Sequence, residues 1–204
     1  MIARRILVLG NDPQINSIDF KKLSPDVITL GVNRIWMAHL PHYYFFHDIE
    51  IAKELTWYPE TLVKLKSQSA CYSSDWLIKQ TRKNRQAVPN WVKVFPRIDR
   101  YSFPDSVCTA LALFNRHHMI NVPKVYYIAG VSLKWQEPSH FWKKPGVETM
   151  NTHSAEWYHT RFDKMLDNFR RLKMGGMNMI SVNPNSRINS MCRYESIHTL
   201  YSKR

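Results

Sequence analysis

Apolar residues along the chain fall into short runs that close on polar turns. Ile6-Leu7-Val8-Leu9 leads directly into Gly10-Asn11-Asp12-Pro13, which reads as a buried strand breaking into a turn. Val27 through Val32 and His42 through Asp48 repeat the pattern, and Lys124 through Gly130 makes a further strand that ends in glycine. Met179-Ile180-Ser181-Val182 is the last such run and opens into Asn183-Pro184-Asn185-Ser186. Between these runs, residues 50–66 and Ser106–Phe114 have helical character. Residues 153–173 place Trp157, Arg161, Met165, Phe169 and Leu172 at mostly four-residue steps, and Gly175-Gly176 stops that helix. Alternating strands and crossovers predict one α/β domain over residues 1–204, Rossmann-like, with a mostly parallel sheet flanked by helices. Residues 67–104 show no clear period. Residues 135–152, rich in Pro, Lys, Trp and His, read as a long, lid-like surface loop.

Composition narrows the class. No run approaches the roughly 18 to 20 apolar residues a bilayer crossing needs, and the first residues lack the order of a signal peptide, so a soluble, cytoplasmic protein is expected. Cys71, Cys108 and Cys192 are odd in number and far apart, the pattern of ordinary thiols and not of a zinc ribbon or disulfide framework. Charge changes the picture more, because 29 Lys+Arg against 16 Asp+Glu leave a formal +13. An anionic partner is implied, and nucleic acid, anionic lipid and phosphorylated small molecules all meet that condition.

In an open parallel sheet, ligands bind beyond the carboxyl ends of the strands. The polar residues found there are Gly10, Asn11 and Asp12, then Asn33 after Gly31, then Asp48 with Glu50, then Gly130, then Asn183, Asn185 and Ser186. A glycine lets backbone N–H groups approach a phosphate, and an asparagine offers donor and acceptor to a ribose or base. The same residues also serve as plain turn formers. The first turn holds one glycine where a dinucleotide fingerprint needs three, which disfavours an ordinary NAD domain. Asp48 and Glu50 sit two residues apart, a spacing that would let two carboxylates hold a divalent metal, although isolated acid pairs are usually solvated.

The ordered succession L-G-N-D-P, I-D-F-K-K-L, G-V-N-R-I-W, V-Y-Y-I-A-G-V-S, T-H-S and V-N-P-N-S resembles that of the bacterial sialyltransferases and their relatives. The resemblance spans nearly the whole chain. It implies a Rossmann-like core without the three-glycine fingerprint, an inverting transfer from a nucleotide-sugar, UDP- or CMP-linked, and no obligatory metal or other cofactor. Carried over by motif, Gly10, Asn11 and Asn33 contact the nucleotide, and Ser106, opening a helix, reaches phosphate. Asp105 and Val107 replace the threonine and glycine that flank that serine in the family. The histidine of His153-Ser154 becomes the base: a neutral imidazole titrating near about pH 6.5 takes the acceptor's hydroxyl proton. Where the family uses tyrosines against the departing phosphate, this chain has Lys134 and Trp135, and the lysine neutralises the same charge.

Lys79, Arg82, Lys83, Arg85, Lys143, Lys144, Arg170, Arg171, Lys173, Arg187 and Arg193 bracket the proposed site in sequence. They lead to the expectation of double-stranded DNA as partner, with a hydroxymethylated pyrimidine flipped from the stack as acceptor, as in phage DNA-modifying glycosyltransferases. Two other readings stay open. One is a transferase acting on a glycan or lipid-linked sugar, and the other is a basic nucleic-acid-binding module without catalysis.

Overall fold

The computed structural model describes residues 3–83, 88–95, 105–118, 120–134, 136, 140–142 and 155–202. Each apolar run forms a strand: β1 (Arg4–Leu9), β2 (Ile28–Val32), β3 (Tyr43–Phe46), β6 (Lys124–Ala129) and β7 (Met179–Ser181). The aperiodic middle supplies two more, β4 (Ala70–Ser74) and β5 (Lys93–Phe95). The helices are α1 (Ile49–Thr56), α2 (Pro59–Gln68), α3 (Asp75–Lys83), α4 (Ser106–His117) and α5 (Ala155–Met174). The helix expected over residues 50–66 is thus two helices. Pro59 has no N–H to donate and takes the first position of α2, so the chain turns at Trp57-Tyr58.

Contacts divide the chain into two compact units, Met1–Val27 with Asn121–Arg204, and Ile28–Ile120. In the first, β1 pairs with β6 from Arg4↔Lys124 to Leu9↔Ala129, and β6 pairs with β7 from Tyr126↔Met179 to Ile128↔Ser181. In the second, β2, β3, β4 and β5 pair in that order through Leu30↔Tyr43, Tyr43↔Ala70 and Tyr72↔Lys93. All these ladders are parallel, and helices flank the strands, which is the Rossmann-like α/β class.

Strands buried on both faces need continuous apolar runs, and that is what the sequence holds. Ile6, Leu7, Val8 and Leu9 are fully buried, as are Ile128 and Ala129. In the second unit, α4 packs on β2 and β3 and buries nine consecutive residues from Ser106 to Phe114. Helix α5 buries Leu166, Phe169 and Leu172, three of one stripe at helical spacing. The three cysteines are free and buried. Burial pushes the Cys71 thiol up to about 12, where it stays protonated. Among the described residues, no helix is long and apolar enough to cross a membrane.

Candidate functional site

In the first unit the site grows from the place where β1 and β6 end side by side. Gly10 donates its N–H to the Ala129 carbonyl at 2.9 Å, and Asp12 donates to the Gly130 carbonyl at 3.0 Å. A Cβ on Gly10 would lie 2.3 Å from the Gly130 oxygen, so only glycine lets the two turns pass this closely. Gly130 takes φ +65 and packs against Ile15, whose Cδ1 would be 2.7 Å from a Cβ there. Asp12 is buried, and both of its carboxylate oxygens serve the backbone, accepting from Gln14 N–H and Ser132 N–H at 2.9 Å each. Gln14 completes the frame. Its Oε1 accepts from Gly130 N–H at 2.8 Å and its Nε2 donates to the Val182 carbonyl at 2.7 Å, so one side chain ties the turns after β6 and β7 to the turn after β1.

The turn after β7 is closed in the same way. Asn183 Oδ1 accepts from Asn185 N–H at 3.0 Å, and Ser186 Oγ donates to the Val131 carbonyl at 2.5 Å while accepting from Ile188 N–H at 3.2 Å. Asn185 and Lys134 are exposed. Asn11 is different: its Oδ1 is buried and has no hydrogen-bond partner among the described residues. Its carbonyl accepts from Phe141 N–H at 3.1 Å, and Asn16 Nδ2 donates to the Phe141 carbonyl at 3.0 Å, which seats Phe141 against this turn.

In the second unit the site forms where β2 ends. Asn33 is held with φ 50, a left-handed conformation that asparagine tolerates better than most residues. Fully buried Tyr44 of β3 donates its hydroxyl to the Asn33 carbonyl at 2.5 Å, and burial raises that phenol well above its ordinary range, so it remains a donor. Asn33 Nδ2 donates to Asp48 Oδ2 at 2.9 Å and to Ser106 Oγ at 3.2 Å. One amide therefore joins the ends of β2 and β3 to the first residue of α4. Asp105 caps that helix, its Oδ1 accepting from Val107 and Cys108 N–H at 3.0 and 3.1 Å. Burial raises the Asp105 carboxyl above the usual range, and the Cys108 thiol beside it is pushed up as well. Glu50 faces Lys53 at 3.5 Å. Among the described residues, no three His, Cys, Asp or Glu side chains are grouped as a metal would require.

The sequence-derived residues thus assemble as two clusters, each inside its own unit. Gly10, Asn11, Asp12, Gly130, Asn183 and Ser186 meet in the first, and Asn33, Asp48 and Ser106 in the second. His153 and most of the loop at 135–152 lie outside the described residues. Asp105 stands where the sequence places it, directly before the helix that Ser106 opens. Sequence reasoning missed Gln14, because nothing local marks a residue whose partners lie more than a hundred residues away.

No protein-family model and no curated protein matches the chain. Among solved structures it is similar to the sialyltransferase CST-II in complex with a trisaccharide acceptor and CMP. The TM-score is 0.58 and the identity 13%, over 98% of this chain and 89% of that one. CstII from Campylobacter jejuni with the substrate analogue CMP-3FNeuAc gives 0.56 at 10% identity, covering 98% and 89% of the two chains. The monofunctional alpha-2,3-sialyltransferase Cst-I from the same organism gives 0.53 at 11% identity, covering 99% and 83%. At these identities the likeness is one of fold.

These comparisons overturn the expectation of a hydroxymethylated pyrimidine in phage DNA as acceptor, since the similar folds are sialyltransferases. Four of the basic residues that prompted that expectation have a carboxylate nearby: Lys79 lies 3.6 Å from Asp75, Arg170 2.5 Å from Asp167, Arg187 2.6 Å from Asp163 and Arg193 2.7 Å from Glu195. Lys173 donates to the Met191 carbonyl. A Rossmann-like α/β chain with a sialyltransferase-type fold is what sequence and structure together establish.

Proposed function

We propose that this chain is a CMP-sugar-dependent glycosyltransferase that moves a sugar onto a hydroxyl of a glycan acceptor. The observation that carries the reading is the match of almost the entire chain to sialyltransferases, together with the order of its motifs. Gly10 brings backbone N–H groups close to the position a phosphate takes at a strand end. Asn11 and Asn33 each hold a buried side-chain oxygen that no group among the described residues fills. In the proposed reaction the acceptor oxygen bonds to the anomeric carbon as that carbon's bond to the phosphate oxygen breaks. His153 takes the hydroxyl proton and CMP departs with the electron pair. Lys134, exposed beyond β6, neutralises the charge that develops on the phosphate. The transfer inverts the anomeric centre and uses no obligatory metal.

The test has two parts. A thermal-shift series with CMP, UDP and GDP should show the largest rise in melting temperature with CMP. His153→Ala should lower turnover about 10²- to 10⁴-fold with a CMP-sugar and an oligosaccharide acceptor, while CMP affinity stays within about twofold, because a base acts mainly in the transition state. Preference for UDP or GDP would reject the CMP donor, and unchanged turnover in the histidine variant would remove His153 from the reaction.

A further inference from the structure

The carboxamide of Gln14 stands where the ladder between β6 and β7 is due its next rung. In a parallel pair the donors of one strand recur at every second residue. Tyr126 N–H donates to the Asn178 carbonyl at 2.9 Å, and Val182 N–H donates to the Ile128 carbonyl at 3.0 Å. Continued in two-residue steps, the register of this pair sends Gly130 N–H to the Val182 carbonyl. Those two groups do not bond to each other. Instead Gly130 N–H donates to Gln14 Oε1 at 2.8 Å, and Gln14 Nε2 donates to the Val182 carbonyl at 2.7 Å. The returning rung is closed off as well, because the donor due there is Pro184, which has no N–H. The Gly130 carbonyl that it would have served accepts from Asp12 N–H at 3.0 Å.

A rung closed directly would carry β6 and β7 on side by side. A rung closed through a side chain of a third segment ends the ladder there and fixes both strand exits to that segment. Gly130 takes φ +65, so the chain leaves the strand direction at this residue. Ser132 N–H is then bound by Asp12 Oδ2 at 2.9 Å, two residues before Lys134, while the other exit runs into Asn183 through Ser186. Glutamine suits this place because one group must accept and its neighbour must donate, which a carboxylate or a thioether cannot do. We infer that Gln14 is a positioning residue of the proposed donor site: by taking the place of a ladder rung, it sets both strand exits against the turn that carries Gly10 and Asn11. This rests on the proposed donor and extends it to a residue that acts through the backbone of Gly130 and Val182.

Two variants of the full chain test it, with CMP as the calorimetric probe. In Gln14→Ala the stranded N–H and carbonyl can pair directly or through one water, so the melting temperature should stay within about 4 °C of wild type. With the exits no longer set, CMP affinity should fall about tenfold or more. Gln14→Glu keeps the length and the acceptor but loses the donor, and protonation of its carboxyl restores an O–H. The ratio of wild-type to Gln14→Glu affinity should therefore shrink as the pH is lowered from about 8 to 5. The alanine variant should show no such recovery. If Gln14→Ala binds CMP within about twofold of wild type, at whatever melting temperature, the glutamine is a structural tie alone and the positioning role is overturned, with the donor left standing. If the alanine variant does not fold, the glutamate variant decides: a ratio that does not change with pH overturns the role. Failure of wild type to bind CMP overturns the donor and the positioning role together.

Discussion

The turn cluster of the first unit and the β2–α4 cluster of the second use the same residue types in opposite ways. In the first, Asp12, Asn183 and Ser186 turn their side chains onto backbone N–H and C=O groups of their own and neighbouring turns. In the second, Asn33 donates through its amide nitrogen to Asp48 and Ser106 while its Oδ1 has no partner among the described residues. One cluster holds three loops in register, and the other is held rigid while keeping an acceptor in reserve. Asn11 stands between these behaviours, anchored through its carbonyl by Phe141 while its side-chain oxygen stays open. A polar residue at a strand end is therefore not by its type a ligand contact. Its role depends on which of its atoms the chain has already used.

Substitutions can break that contrast. Gly10→Ala should have the largest effect, about 3 kcal/mol or more of lost stability, because the new Cβ meets backbone oxygen and no flexible side-chain end can yield. Chemical denaturation reads it directly, and a loss below about 1 kcal/mol would mean that the two turns separate easily. Asp12→Ala should cost about 2 kcal/mol by the same measurement, since it strands the N–H groups of Gln14 and Ser132. In contrast, Asn11→Ala should change stability by less than about 1 kcal/mol and weaken CMP binding about tenfold, because the removed oxygen has no partner among the described residues. An Asn11→Ala variant that binds CMP as wild type does would place Asn11 with the structural residues of its cluster.

At neutral pH the smallest effect is that of His39, which acts on acid stability. His39 is desolvated, with His42 nearby, and its folded-state pKa is lowered to about 4 from 6.5. Between those values the unfolded chain binds a proton that the folded chain does not, so stability rises with pH across the window and is lost on acidification. His39→Gln should flatten the melting-temperature profile between about pH 4 and 6.5, and an unchanged slope would assign the acid sensitivity to other groups.

Much of the fold was legible because its signals are local. Continuous apolar runs such as Ile6–Leu9 cannot be anything but buried, and Pro59 stops a helix by its covalent structure. Strands β4 and β5 were not legible, since Ala70–Ser74 reads A-C-Y-S-S and gains strand character only from its parallel neighbours. The DNA expectation rested on a count of charges, which does not say which anion meets them, and the fold likeness to sialyltransferases overturned it.

By itself, the sequence determined the α/β class, the strand ends on which polar residues cluster, and an order of motifs like that of the sialyltransferases, because hydrophobic period, turn chemistry and motif order are properties of neighbouring residues. Only the tertiary structure decided that Gln14 ties three turns together, that Asp12 serves the backbone, and that Asn33 keeps an acceptor without a partner among the described residues. Those roles depend on hydrogen bonds between residues far apart in the chain, and whether a polar atom is satisfied is known only once its distant neighbours are in place.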